Sequence, residues 1–428
     1  MDDLRLDALV VGGGIAGMQS ALDLADQGFQ VALVEREPSI GGRMITLSKV
    51  FPTLDCCSCI TTPKMSAVAH HPNIHLMTYC EVQSVEERGD GFSVDVLKKP
   101  RFVDESICTG CRDCEYECPI TVPSPFDRDL GAYRAIRVPF STAVPQKAVL
   151  DPEYCLWCGK CEKVCPTGAV DFTQQPQVFN VAVTAIVMAT GFDLTPVDSK
   201  LEYGAGKLHN VIDPLMMERF LAPTGPYGRV LRPGDGKEPG SIAYVQCAGS
   251  RDETLGITYC SRVCCMYAVK QAMLLNGALP LADITIYYMD IRTFGKGYEQ
   301  FYQSAKAMGV EFVRGKVALI KEDADQNPIV KVEMTDTGEI VERTHDLVVL
   351  SQGIIPASHP TVSLPLGSDG FISVPAPDAT PCVTERPGIF VTGTAMGPMD
   401  IVDSIISASA AASEASAYIR AHANGQTV

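Results

Sequence analysis

The chain has 428 residues, 46% of them hydrophobic and 20% charged, a globular composition at the length of about three domains. A formal net charge of −16 argues against nucleic acid or an anionic membrane surface as partner, and no apolar run reaches the ~18 residues of a spanning helix. The acidic start MDDLRLDALVVGGG does not read as a signal peptide, so the expected setting is cytoplasmic, where 17 cysteines at regular spacings read as metal or redox sites rather than structural disulfides.

Residues 7–35 read as strand, glycine turn, helix and second strand. Gly12 permits the tight turn, Gly14 lets the backbone approach a pyrophosphate, and Gly17 lets helix and strand pack closely. Glu35, with Arg36 beside it, closes the second strand where an acid meets the adenosine ribose hydroxyl. The pattern predicts dinucleotide binding. Gly41-Gly42-Arg43 follows, where an FAD enzyme needs close backbone approach and a cation.

Cys56, Cys57 and Cys59 come next; they read as a cluster ligand, a redox dithiol or inert loop thiols, the last being favoured without a fourth nearby ligand. The turn HHPNIH (His70, His71, His75) reads as solvated rather than metal-binding, and Cys80 as a buried strand residue.

Cys108-x2-Cys111-x2-Cys114-x3-Cys118-Pro and Cys155-x2-Cys158-x2-Cys161-x3-Cys165-Pro are two copies of the bacterial ferredoxin run. Three thiolates on one tight loop reach three corners of a cubane, and the fourth Cys of each run ligates the other cluster. One [4Fe–4S] cluster is therefore expected on Cys108, Cys111, Cys114 and Cys165, the other on Cys155, Cys158, Cys161 and Cys118. Zinc knuckles, the competing reading, use CxxC pairs that stand apart. Trp157 is expected to shield its cluster from water, and residues 119–154 to form a loop and hairpin on the host domain.

The strand TAIVMATGF ends in a turn at Ala189, Thr190 and Gly191. After a Pro/Gly-rich linker or docking stretch at 221–240, a second strand–turn–helix begins at GSIAYVQCAGS. Its turn lacks GxGxxG and carries Cys247, then Cys260, Cys264 and Cys265. From spacing alone these are ligands of a third cluster, unligated buried thiols or a catalytic dithiol. Cys382 falls in a Pro-rich loop and reads as a buried small hydrophobe. The closing segment GIFVTGTAMGPMDIVDSIISASAAASEA, with Gly393, Thr394 and Asp400, reads as strand, turn and small-residue helix that presents N-terminal amides to a flavin or its pyrophosphate. An NAD-only Rossmann domain leaves that segment unexplained.

This order resembles the two-dinucleotide-domain flavoproteins of the thioredoxin reductase type. The expected fold is α/β, a thioredoxin-reductase-like flavoprotein with an inserted two-cluster ferredoxin. The expected segments are the first part of the FAD domain (1–100), the ferredoxin insert (101–175), the FAD return strand and linker (176–238), a cluster-bearing NAD-domain-like fold (239–350) and the last part of the FAD domain (351–428).

PTLDCCSCITTPKM, both ferredoxin runs, CAGSRDE with YCSRVCCMYAVK, and GTAMGPMDIVDSIISASAAA resemble the HdrA polypeptide of heterodisulfide reductase and its bacterial relatives. The resemblance implies FAD, the two ferredoxin clusters and a further cluster on Cys247, Cys260, Cys264 and Cys265. It also implies that Lys270, in the YAVK position, corresponds to a lysine near the isoalloxazine, and that the flavin is a branch point of electron bifurcation. Implied partners are other redox subunits of such a complex; ferredoxin or a dehydrogenase or hydrogenase subunit belongs to that set. Long archaeal members carry an extra N-terminal domain and a C-terminal ferredoxin, so a short form is expected here. The chain is also similar to flavin subunits of quinone-interacting and benzoyl-CoA-reducing complexes. The expected function is an FAD and iron–sulfur electron-transfer oxidoreductase subunit. The alternatives are an NAD(P)H-oxidising iron–sulfur flavoprotein like the small subunit of glutamate synthase, and a non-catalytic electron-relay and docking subunit.

Overall fold

Runs of β-branched residues buried on both faces set the centre of the first sheet, as a parallel strand covered on both sides requires. The computed structural model describes residues 4–89, 91–357 and 362–424. Five parallel strands lie in the order Ile389–Val391, Ala185–Met188, Ala8–Val11, Val31–Glu35, Ile74–Thr78. Three distant stretches of chain thus meet in one sheet, with the strand from the opening glycine motif at its middle. The helix Ile15–Asp26 packs on the closing helix Ile401–Ala423, whose Ala408, Ala411, Ala412 and Ala415 are fully buried. Small side chains on that face let the two helices lie close, and Ser20 Oγ donates to the carbonyl of Ala408 across the gap at 3.1 Å.

A second sheet runs Val211–Ile212, Leu347–Gln352, Ser241–Ala248, Asp283–Tyr288, Glu311–Glu322, Pro328–Met334, Ile340–Thr344. Its first five strands are parallel and the last two add antiparallel hairpins. The helix Cys264–Ala278 covers it. A four-stranded sheet carries the strands that flank the ferredoxin runs. Gly91–Lys98 pairs antiparallel with Gln177–Val183 from Phe92↔Val183 to Lys98↔Gln177, so the chain leaves and re-enters between hydrogen-bonded neighbours.

The segment between those strands holds the short helices Asp113–Glu117 and Lys160–Val164 and the hairpin Thr121–Pro123/Ala132–Arg134. Its hairpin loop grips a helix that the composition at 176–238 does not announce, Pro214–Leu221, capped by Asp213. Arg128 pairs with Asp213 at 2.6 Å and Asp127 with the buried Arg219 at 2.9 Å. Among the described residues no helix is long and apolar enough to cross a membrane.

Gly17 shows why the first helix starts where it does. A Cβ there would sit 1.8 Å from the carbonyl oxygen of Gly12. Gly17→Ala should therefore cost about 1–3 kcal/mol or more and pull the helix off the glycine turn. Thermal unfolding and the flavin absorbance of the purified variant check this, with both expected to fall.

Candidate flavin and cluster sites

The C-terminal ends of the central parallel strands open onto a cavity of about 180 Å³. Gly14, Arg43, Ala189, Gly191, Thr394 and Asp400 line it. Gly14 faces open space, with nothing within 4 Å of an added Cβ, so backbone there is free to meet a ligand. Gly12 and Gly42 lie behind the wall and are held by contact: an added Cβ would stand 2.4 Å from the Ala189 oxygen and 2.8 Å from the Gly14 Cα, respectively. Gly393 has φ of +61° and abuts Ala16. Thr190 keeps a buried hydroxyl with no protein partner, an orphan that a bound polar ligand would satisfy.

Glu35 is buried, and its carboxylate accepts from the Gly13 N–H at 2.6 Å and the Glu37 N–H at 2.8 Å. Burial pushes its carboxyl above the usual range, and those two hydrogen bonds pull against the rise. Arg36 is not brought to the cavity; its half-exposed guanidinium turns toward Glu37. Arg43 reaches Asp193 at 2.7 Å. Asp400 caps the closing helix through the Asp403 N–H and accepts from the Tyr298 hydroxyl at 2.5 Å. The open cradle, the orphan hydroxyl and the helix N-terminus fit a dinucleotide flavin.

Lys270 lines the same cavity and is 2% exposed. Its Nζ lies 2.5 Å from Glu218 Oε1 and 2.9 Å from the carbonyl of Lys49. Glu218 also accepts from the Ser48 hydroxyl and from Gln271 Nε2. Burial pushes the Glu218 carboxyl up, but Lys270 and these hydrogen bonds outweigh it and hold it below its ordinary value. Sequence reasoning missed Glu218 because the segment PLMMERFL carries no motif. The only signal was a Glu-Arg pair inside an otherwise apolar run.

The two ferredoxin runs cross. Cys108, Cys111, Cys114 and Cys165 line one small cavity of about 10 Å³, and Cys118, Cys155, Cys158 and Cys161 line another of about 20 Å³. Among the described residues no three His, Cys, Asp or Glu side chains converge as the ligands of a single metal ion do. The thiols instead stand in two groups of four, each around its own small cavity. Burial raises the Cys114 thiol to about 12, and neighbouring thiols add to the rise. Such groups are poor thiolates until a cluster binds them. Trp157 packs edge-on against Phe102 and Phe172 but is 49% exposed, so it shields less than expected. It sits between Cys155 and Cys158 on a tight loop whose outer side faces water.

Cys247 is the last residue but one of its strand, inside a register shift, with φ of +57°, and Cys264 and Cys265 open the helix Cys264–Ala278. Burial is the main cause of the raised thiols of Cys247, Cys264 and Cys265, and each is raised further by the charge of other members of the set. The Arg262 N–H donates to Cys260 Sγ at 3.3 Å, the same two-residue pattern as the Trp157 N–H on Cys155 Sγ at 3.3 Å. Arg262 also reaches Asp403 on the closing helix at 3.0 Å.

Cys56, Cys57 and Cys59 are not loop thiols: Cys56 caps the helix Cys57–His70. Cys80 and Cys382 are buried. His70 is exposed, and His71 meets Asp26 at 3.2 Å.

The fold and site define an iron–sulfur flavoprotein built on two dinucleotide-binding folds. Residues 7–49 match the family described as FAD binding domain, and residues 107–170 the 4Fe-4S dicluster domain. The thioredoxin reductases of Lactococcus lactis and T. acidophilum share the fold, each with a TM-score of 0.55, at 15% and 14% identity, over 97% and 99% of this chain and 99% and 100% of theirs. The chain is 49% identical over 95% of its length to the HdrA iron-sulfur polypeptide of the CoB–CoM heterodisulfide reductase of Methanocaldococcus jannaschii. It is 46% identical over 95% of its length to the corresponding polypeptide of the H2:CoB-CoM heterodisulfide,ferredoxin reductase of Methanothermobacter marburgensis. Over that shared stretch it is similar to the HdrA polypeptides of heterodisulfide reductase, and it spans 63% of the length of each of these two relatives. FAD and [4Fe–4S] clusters are its cofactors.

Crossed ligation gives a grouping test by anaerobic EPR of the reduced protein. Cys118→Ser should disturb the same signal as Cys158→Ser, and Cys165→Ser the same signal as Cys111→Ser. Pairing of Cys118 with Cys111 would rule the crossing out.

Proposed function

We propose that the chain is an FAD- and iron–sulfur-dependent oxidoreductase subunit of a heterodisulfide-reductase-like complex. It links a two-electron partner to low-potential one-electron carriers in an electron-branching role. Other redox subunits are its partners, with ferredoxin as one carrier; the name of the Methanothermobacter marburgensis relative couples a heterodisulfide to ferredoxin.

One observation carries this reading. The helix Cys264–Ala278 contributes two thiols of the third set in its first turn and Lys270 in its second, and Val263, Tyr267 and Lys270 line the flavin cavity. A single rigid element thus spans from that cavity to four cysteines. Cys247, Cys260, Cys264 and Cys265 would hold a third [4Fe–4S] cluster. When bound, the flavin supplies two-electron chemistry divisible into single-electron steps, and the clusters supply one-electron carriers. The Tyr267 hydroxyl donates to the Gln352 carbonyl at 2.9 Å, and Cys264 Sγ lies 3.5 Å from the same oxygen, so the strand end and helix start are tied together. Arg262 on Asp403 fixes the cysteine loop to the helix whose N-terminus faces the cavity.

Lys270 places a cation in the cavity wall, and Glu218 neutralises it. Removing either partner therefore changes the local field with opposite sign. Lys270→Met should make the flavin harder to reduce and Glu218→Gln easier, each by at most about 4 kcal/mol, the scale for unit charges ~4 Å apart at an effective dielectric near 20. Redox titration of flavin absorbance reads both shifts, and shifts of equal sign would sink the assignment. Anaerobic iron analysis should give about twelve irons per FAD, from three cubanes of four, and about eight in Cys260→Ala. Eight in both would leave the third set as thiols.

A further inference from the structure

We propose that Cys56 and Cys59 form a redox-active disulfide, a two-electron site apart from the cluster cysteines. External thiols would reach it at Cys59. The inference does not depend on the electron-branching reading.

The three clustered cysteines occupy unlike places. Cys57 is fully buried, with its thiol pushed up to about 12, chiefly by burial. Cys56 and Cys59 are bonded to each other, with Cα atoms 5.2 Å apart, inside the range a disulfide accepts without backbone movement. The helix that begins there has 14 residues, and Cys56 is its N-cap. Cys56 Sγ accepts from the Cys59 N–H at 3.3 Å and lies 3.2 Å from the Ser58 hydroxyl. These donors and the helix N-terminus stabilise negative charge on Cys56 sulfur, making it the better leaving group. Cys59 is exposed, as is Ile60 beside it at 39%, whereas Cys56 is half-buried. The bond is therefore open to attack at one sulfur and backed by hydrogen-bond donors at the other.

An external dithiol is the reductant, and the exchange balances with it alone. A thiolate of an external dithiol attacks Cys59 Sγ, a new S–S bond forms, and the Cys56–Cys59 bond breaks with its electron pair going to Cys56. The second thiol of the reductant then closes its own disulfide and releases Cys59, so two electrons and two protons pass to the chain. The pair also adjoins the flavin cavity. Lys49 bridges Cys56 in a two-stranded contact and itself lines the cavity, and its carbonyl holds the Lys270 ammonium.

The test is anaerobic equilibration of the whole, cluster-loaded protein with reduced and oxidised dithiothreitol, followed by alkylation and mass spectrometry of the Cys56–Cys59 peptide. Both cysteines should become alkylated together with the slope of a two-electron couple. At the oxidising end, Cys59 alkylation in Cys56→Ser should exceed the wild-type value by about tenfold or more, with iron content unchanged. Three outcomes overturn the proposal. The wild-type thiols are alkylated at every ratio, the bond survives every ratio, or Cys56→Ser or Cys59→Ser loses about four irons per chain, which would make the pair cluster ligands.

Discussion

The buried pair of Lys270 and Glu218 holds together the parts of the chain that matter most. Both side chains have left water, a cost that attraction alone rarely repays and that each group's extra hydrogen bonds must offset. Here the Ser48 N–H and hydroxyl, Gln271 and the Lys49 carbonyl satisfy them. The result ties the helix Pro214–Leu221, the helix Cys264–Ala278 and the segment Ser48–Lys49 into one wall. Loss of one partner would leave the other buried without its counter-ion, so the wall depends on both.

The ferredoxin segment is anchored by the same wall. The strands that flank it pair directly, so its insertion leaves the four-stranded sheet unbroken. Its hairpin loop then reaches the cap and the last turn of Pro214–Leu221 through Arg128 and Asp127. Arg219 is 1% exposed, donates to the Thr46 carbonyl as well as to Asp127, and lies over the Phe126 ring. A buried guanidinium with directional partners on three segments leaves little freedom for the ferredoxin segment to shift against the flavin cavity.

Burial dominates the electrostatics of the cysteine sets. In each it raises thiols that a cluster needs as thiolates, and neighbouring thiolates oppose one another further. Only a bound cationic core relieves both effects, so cofactor assembly and the local fold are coupled. Cys165 differs: hydrogen bonds from Thr167 and backbone N–H groups, the Ala169 N–H among them, outweigh its lesser burial and lower its thiol.

The local signals in this chain were legible because each is a short-range demand of covalent geometry. Gly12, Gly14 and Gly17 are required by one turn and one helix contact, and a ferredoxin run by the reach of three thiolates around a cage. The crossed ligation expected of Cys118 and Cys165 follows from the same reach, and each lines a cavity with the three leading cysteines of the other run. Glu218, by contrast, sits in a helix read as linker, and nothing near it in sequence names Lys270, 52 positions away. The three cysteines at 56, 57 and 59 read alike, yet one is buried and two are bonded. Their difference comes from the direction in which a helix starts and from what packs behind it. Spacing encodes what neighbours along the chain can reach; burial and charge pairing depend on segments brought together from afar, and those the tertiary structure alone decided.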